Sequence, residues 1–237
     1  MKISNKSFKG GRKKDVIDYL GILSRLSISY KIIDFKESLP EHLWGYRIEG
    51  LSFGVETSTL KHIRPNGFSN VEVIIDIDIE SQNSEWFNLN DPFNSLSFRS
   101  ILKGTNQKTN KLHYLGFHID RHNSGPTNEV HPLYHLQYLQ NSKIKPNDEF
   151  DHGESLQLDV PRMMHFPMEL ILGVSTILSN FAPSLYSKLI EDRQYINLCK
   201  EYQERIWRPY INSIENYWLS SPANWTWDPK LNCPYLV

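Results

Sequence analysis

Side chains that could bind a metal ion or move protons are concentrated between positions 118 and 137 of the sequence. The group consists of His118, Asp120, His122, His131, His135 and Gln137. The first three occur at every second position, so a β-strand would place them on one face. Imidazole and carboxylate groups that converge from neighbouring strands can form a zinc or iron site. One interpretation is a metal-dependent hydrolase or nuclease with His118, Asp120 and His122 as ligands, and the alternative is a solvated, histidine-rich strand face.

A second pattern with chemical potential is the pair Asp76 and Asp78 in "VEVIIDIDIE" (71–80). Nucleotidyltransferases hold magnesium ions with aspartates that alternate with hydrophobic residues along a strand. Those enzymes also need a Gly-Ser turn that opens a helix upstream, whereas "NGFSN" (66–70) leads directly into the strand. The two acids are therefore better explained as part of the solvated face of a strand.

The overall composition excludes several classes of protein. The chain has 237 residues, is 39% hydrophobic and carries a formal net charge of −1, so it can bury a substantial core and has no general attraction for nucleic acid. No apolar run approaches the roughly 20 residues of a membrane-spanning helix, and the N-terminus lacks the apolar stretch of a signal peptide. Cys199 and Cys233 are too far apart for a CxxC metal motif and are predicted to be inert. We expect a soluble, cytoplasmic protein that does not bind membranes.

The first part of the chain combines a basic segment with a helix. Residues 1–14 contain six lysine or arginine residues and are predicted to be a solvated tail. This tail is the only part of the chain expected to contact nucleic acid. From Asp15 to Ile28, apolar residues recur at helical spacing, which predicts an amphipathic helix. Residues 15–237 are expected to form a single α+β domain.

From about residue 44 to residue 140 the hydrophobic period changes to two, which is typical of β-strands. Strands are predicted at 71–80, 95–104 and 112–120, and a weaker one at 131–139, where Pro132 permits only a strand start or an edge. The segments between them are rich in turn-forming residues. An antiparallel meander is therefore expected, with strands that are neighbours in sequence also neighbours in the sheet.

The last third of the chain is predicted to be helical. The segment "PMELILGVSTILSNF" (167–181) indicates a compact apolar helix that begins near Pro167. Two further helical segments follow, with a kink or break expected at Pro209. The chain ends in a tryptophan-rich tail with Trp218, Trp225 and Trp227. We expect this tail to pack against the rest of the protein; binding of a partner is the alternative.

The order of motifs from His131 to Tyr210 resembles the C-terminal half of ubiquitin-conjugating enzymes. That family has a His-Pro turn, a Gly-x-x-Cys-Leu-Asp strand end, a proline-led apolar helix, and a final helix that begins near Asp-Arg. The corresponding segments here are "HP" (131–132), "GESLQLDV" (153–160), "PMELILGVSTILSNF" (167–181) and "EDRQYINLCKEYQERI" (191–206). The resemblance covers about a third of the chain. It implies an α+β fold with an N-terminal helix, an antiparallel β-meander, and C-terminal helices packed on the sheet.

The sequence departs from this family's pattern at the positions that carry its chemistry. Gln157 stands where the catalytic cysteine would precede Leu158 and Asp159, and a primary amide cannot form a thioester. Leu133 replaces the asparagine that the family uses near its oxyanion. The segment between the His-Pro and Gly-Glu motifs is also longer than in the family. The resemblance therefore implies a relative without the catalytic cysteine, a pseudoenzyme.

The sequence as a whole predicts a non-catalytic binding or adaptor protein that requires no cofactor. Its partner would be another protein, either a ubiquitin-like protein or a subunit of a larger complex. The expected contact surfaces are the sheet face and the tryptophan-bearing C-terminal helices, with Trp225, Trp227 and Tyr235 as candidates for docking. The metal-dependent hydrolase is the alternative.

Overall fold

A computed structural model describes residues 8–59, 67–82, 91–123, 131–139, 163–219, 228–234 and 236. The helices are α1 (Phe8–Arg25), α2 (Leu170–Phe181), α3 (Pro183–Leu189), α4 (Arg193–Tyr202), α5 (Arg208–Glu215) and α6 (Pro229–Asn232). The strands are β1 (Ile32–Phe35), β2 (Leu43–Gly54), β3 (Phe68–Gln82), β4 (Phe93–Asn106), β5 (Leu112–Arg121), β6 (Tyr134–Tyr138) and β7 (Met163–Met164). Short 3₁₀ turns lie at Thr57–Thr59 and Asn216–Trp218, and a π-helical turn lies at Gln203–Trp207.

The strands in the described part of the chain form one antiparallel sheet of seven strands. Their spatial order is the same as their order in sequence, from β1 at one edge to β7 at the other. This is the predicted meander, and the predicted strands at 71–80, 95–104 and 112–120 lie within β3, β4 and β5. Pro132 lies two residues before β6, so it removes no hydrogen bond from that strand.

The alternating sequence of β3 separates the two faces of the sheet. Val73, Ile75, Ile77 and Ile79 are buried in the core. Asp76, Asp78 and Glu80 lie on the opposite face, where each carboxylate pairs with a cation from another segment. Arg99 of β4 binds Asp76, and Lys36 lies 2.5 Å from Asp78 and 2.9 Å from Glu80. The acids thus belong to surface ion pairs between neighbouring elements of the sheet.

Three helices pack together over the buried face of the sheet. Gly173 of α2 contacts the ring of Phe98 on β4. The Tyr19 hydroxyl of α1 donates to the carbonyl of Ile171 on α2 at 3.4 Å, and its ring stacks on Tyr195 of α4 with centroids 6.2 Å apart. The structure therefore has the predicted α+β architecture, with an N-terminal helix, a meander and C-terminal helices.

Helix α1 begins at Phe8, seven residues earlier than the sequence pattern indicated. Part of the predicted solvated tail, residues 8–14, is therefore helical, and residues 1–7 lie outside the described part. Arg12 is buried because its guanidinium lies 2.9 Å from Asp15 and 3.1 Å from Glu201 on α4. The apolar pattern could not reveal this start, since it depends on an ion pair between distant parts of the chain.

The helical path from α4 to α5 continues at Pro209, where the sequence predicted a kink or a break. The path is not broken there; it passes through the π-helical turn at Gln203–Trp207 and continues into α5. A proline ring in an α-helix clashes with the carbonyl of the residue four positions earlier, which is Arg205. A wider turn at this place accommodates the ring without ending the helix.

None of the helices in the described ranges is long and apolar enough to cross a membrane.

Candidate functional site

The pairing of β5 with β6 places the predicted histidine cluster on one face of the sheet. His118 lies opposite Gln137, and Asp120 lies opposite His135. Ile119 lies between the two β5 residues in sequence and is buried on the other face, toward the helices. The two strands thus position the polar side chains on the face away from α2.

The structure brings the four histidines of the cluster into a continuous chain of ring contacts. The ring centroids of His122 and His131 are 3.8 Å apart, and those of His131 and His135 are 4.5 Å apart. His118 lies 6.0 Å from His135, and its Nε2 atom lies 3.6 Å from Oδ2 of Asp120. Residues separated by up to seventeen positions in sequence therefore meet at one place.

Three of the six residues of this cluster are buried, and Asp120, His122 and His131 are partly exposed. His118 is 9% exposed and His135 only 4%, and Gln137 is also buried. The side chains of His118, His135 and Gln137 are therefore part of the folded interior. Polar groups that are removed from water in this way need a hydrogen bond or a close polar neighbour.

The rings, as the described residues place them, do not point at a common metal position. Within the described ranges, no group of three or more His, Cys, Asp or Glu side chains is placed to hold a metal ion. Imidazole ligands must direct a ring nitrogen at a common point about 2.0–2.1 Å away. Here His122 and His131 lie face to face at a tilt of 36°, and His135 meets His131 edge-on. The predicted ligand set of His118, Asp120 and His122 stays a prediction.

An ion pair fixes the ends of the strands beside the cluster. Asp91, two residues before β4, accepts a hydrogen bond from Nε of Arg121 at 2.7 Å and from the buried hydroxyl of Tyr134 at 2.5 Å. Arg121 ends β5 and Tyr134 begins β6, so this carboxylate joins three strands. His122 follows Arg121 directly, and its N–H donates to the carbonyl of Leu133 at 2.7 Å. These bonds hold the segments that carry His122 and His131 in fixed positions.

Part of the C-terminal tail packs against the body of the protein, as predicted. The N–H of Leu133 donates to the carbonyl of Leu231 at 2.7 Å. Asn232 is fully buried, its Nδ2 atom donates to Oγ of Ser213 at 2.7 Å, and its carbonyl accepts from the Tyr210 hydroxyl at 3.4 Å. Residues 228–234 therefore attach to β6 and α5 at the same time.

One surface of the C-terminal helices has large apolar side chains open to solvent. Trp218 is 68% exposed, and Ile211 and Leu219 are about half exposed. Ile211 and Trp218 are seven positions apart along a helical segment, which places them on the same side. We refer to Ile211, Trp218 and Leu219 as the C-terminal apolar surface. The sequence analysis assigned Trp218 to the tail that packs on the protein. Its helical spacing from Ile211 was the signal that could have assigned it to the C-terminal helices instead.

Two of the predicted groups of residues cannot be placed. Gln157, Leu158 and Asp159, at the position of the missing nucleophile, lie outside the described residues. The docking candidates Trp225, Trp227 and Tyr235 also lie outside them. Both assignments stay predictions.

Sequence reasoning missed one buried acid, Glu169. It is 2% exposed and precedes α2, where its carboxylate accepts hydrogen bonds from the N–H groups of Ile171 and Leu172 at 2.9 and 2.7 Å. Its position directly before the apolar run of α2 was a signal for a helix cap. Glutamate is not among the preferred cap residues, so the signal was weak.

The chain matches no model of a known protein family, and no curated protein or solved structure is significantly similar to it. The resemblance to ubiquitin-conjugating enzymes therefore stays a prediction, whereas the order of a helix, a meander and C-terminal helices is a property of the structure.

Proposed function

We propose that this protein is a non-catalytic protein-binding or adaptor protein, a subunit of a larger complex, whose partner docks on the C-terminal apolar surface. The observation that carries the proposal is the exposure of Trp218. A tryptophan side chain presents roughly 200 Å², so an exposure of 68% leaves on the order of 150 Å² of indole in water. Ile211 and Leu219 extend this area. Grouped exposed apolar residues are typical of protein interaction sites, and tryptophan is enriched among the residues that dominate binding energy.

The properties of Cys199 support a function without nucleophilic catalysis. This thiol lies on α4 and is partly buried. Burial raises its pKa above the ordinary value, although a hydrogen bond with Tyr195 opposes the shift. A cysteine nucleophile needs the opposite change, because the thiolate is the reactive form.

The partner class that the sequence resemblance favours is a ubiquitin-like protein, and a neighbouring subunit of a complex is the other candidate. A relative of conjugating enzymes that lacks the reactive cysteine would act by binding. Isothermal titration of the purified protein with a purified ubiquitin-like protein separates these two classes, since only the first predicts a saturable heat signal.

Replacement of Trp218 by serine tests the proposal. The affinity for the partner should fall about tenfold or more, so that the partner no longer co-purifies. The free energy of unfolding should change by less than about 0.5 kcal/mol, because the side chain of Trp218 is exposed. The measurement is quantitative co-purification from native cells, together with urea unfolding of each variant.

Ile190→Ser is the matched control, because Ile190 is also an exposed apolar residue but lies at the end of α3. This variant should keep both the partner and the stability. Equal recovery of every co-purifying protein with wild type and Trp218→Ser would contradict the assignment of the docking surface.

A second candidate function is the metal-dependent hydrolase or nuclease, and the observation that favours it is the convergence of four imidazoles. His118, His122, His131 and His135 lie in one chain of ring contacts beside Asp120. A metal would require these rings to turn so that their nitrogens share a centre. Metal analysis of the purified protein decides between the two functions.

A further inference from the structure

Glu169 is a carboxylic acid placed in the middle of the helix layer. Its side chain is 2% exposed and caps the first turn of α2. Two backbone N–H groups of α2 donate to it, which gives it fixed partners on one side. The cost of burying a charge exceeds the gain from such bonds unless a cation also compensates it. The groups that face Glu169 from the other elements therefore decide whether it is charged.

Three elements besides α2 place titratable groups around this carboxyl group. These groups are Arg12 and Tyr19 of α1, Tyr46 of β2, and Cys199 and Tyr202 of α4. The Tyr46 hydroxyl is a hydrogen-bond partner of the carboxyl group and also accepts from the N–H of Leu170 at 3.4 Å. All three tyrosines are buried, and burial raises the pKa of each phenol, so they stay uncharged.

Arg12 is the cation that acts on Glu169, and it also pairs with two other carboxylates. Arg12 lies 2.9 Å from Asp15 and 3.1 Å from Glu201. Arg205 also pairs with Glu201 and lies 3.9 Å from Asp15. Two guanidinium groups thus balance two carboxylates. An ionised Glu169 would be a third carboxylate beside Arg12 in a buried region, whereas a protonated Glu169 adds no charge there.

We propose that Glu169 is a proton-controlled switch in the core, which keeps α1, α2, α4 and β2 tightly packed while it is uncharged and loosens this packing when it loses its proton. The switch would respond to a rise in pH, and its readout would be the stability of the helix layer. It does not depend on the docking of a partner.

The pH range follows from the environment of the group. Burial raises the pKa of Glu169 from 4.5 to about 7, and the N–H groups of Ile171 and Leu172, the Tyr46 hydroxyl and the charge of Arg12 oppose part of this increase. Because the pKa is higher in the folded protein than in the unfolded chain, the stabilisation is fully present below the unfolded value. It is lost as the pH rises through the folded value. The change therefore falls near neutral pH.

Comparison of wild type with Glu169→Gln measures the switch. For pKa values of 4.5 unfolded and about 7 folded, the unfolding equilibrium constant of the wild type should increase roughly 30-fold from about pH 5.5 to about pH 8.5 through this group alone. Glutamine cannot ionise, so the ratio of the two unfolding constants should change by that factor. Other titrating groups are present in both proteins and cancel in the ratio. The measurement is urea unfolding at a series of pH values.

Asp192→Asn is the matched control, because Asp192 also caps a helix through two backbone N–H groups. Asp192 is at the surface, and the N–H of Tyr195 holds the pKa of its carboxyl group below the ordinary value. It is ionised throughout the same pH range. The ratio of unfolding constants between wild type and Asp192→Asn should therefore be independent of pH.

A pH-independent ratio for Glu169→Gln would overturn the proposal. If that variant does not fold, carbon-13 NMR of the Glu169 carboxyl group in the wild-type protein gives the same test. A titration midpoint near 7 supports the switch, and a midpoint near the ordinary 4.5 overturns it. Hydrogen exchange measures the loosening of the helix layer. After correction for the intrinsic exchange rate, the amides of α1 and α4 in the wild-type protein should lose protection above neutral pH. Maintained protection would also overturn the proposal.

Discussion

The contact between α2 and the sheet can be tested at Gly173, which lies directly against Phe98 of β4. A β-carbon at this position would lie 2.4 Å from Cε2, 2.7 Å from Cδ2 and 3.0 Å from Cζ of Phe98. Phe98 is completely buried, so its ring cannot turn out into solvent. Gly173→Ala must therefore displace α2 or strain the ring.

Two opposing effects determine the size of the change. Alanine in a helix interior is normally more stable than glycine by about 1 kcal/mol. An added methyl group in a well-packed core costs about 1–3 kcal/mol, and the short contacts here place the cost at the upper end. We expect Gly173→Ala to lower the free energy of unfolding by about 2 kcal/mol.

Gly21→Ala is the matched control, because Gly21 lies within α1 and a β-carbon there has no neighbour within 4 Å. This variant should be more stable than wild type by about 0.5–1 kcal/mol. Both free energies are measured by urea unfolding, and the slope of the transition should stay constant. If Gly173→Ala gained as much stability as Gly21→Ala, the packing of α2 on Phe98 would be refuted.

Two further predictions concern the C-terminal tail and the histidine cluster. Asn232→Ala removes the buried bond to Ser213 and should lower the free energy of unfolding by about 1–3 kcal/mol; an unchanged melting temperature would mean that residues 228–234 do not stabilise the protein. Under the adaptor proposal, the purified protein should lack stoichiometric zinc, iron or manganese, and a chelator should leave its melting temperature unchanged. Bound metal that is lost in His118→Ala would favour the hydrolase instead.

The central strands β3, β4 and β5 could be predicted because one local rule controls them, whereas β1 and β7 lie outside the region with a hydrophobic period of two. In β3, every second residue from Val73 to Ile79 is a β-branched apolar residue, and these residues are the ones that the core buries. The segments between β4 and β5 and between β5 and β6 are rich in turn formers, and each strand of the sheet pairs with the next one in sequence. Period and turn chemistry are both properties of neighbouring residues, and a sequence displays them directly.

The features that could not be predicted depend on residues far apart in the chain. Arg12 is buried because Glu201, 189 positions away, pairs with it. The polar residues of β5 had the alternation of a solvated face, yet His118 is buried, since burial depends on what covers a strand and not on its own pattern. Glu169 was missed for the same reason: its environment is built by α1, β2 and α4 together.

The π-helical turn determines which side of the C-terminal helices faces the core and which side, with the proposed docking surface, faces solvent. The residues buried by α4, the π turn and α5 include Tyr202, Ile206 and Tyr210, each four positions after the last. Four residues of an α-helix turn about 400°, so each step of this kind rotates the buried side by about 40°. A wider turn takes up the extra rotation and keeps all three side chains in the core. Ile211 and Trp218 consequently face solvent, so the π turn that accommodates Pro209 also fixes the side on which a partner would meet Trp218.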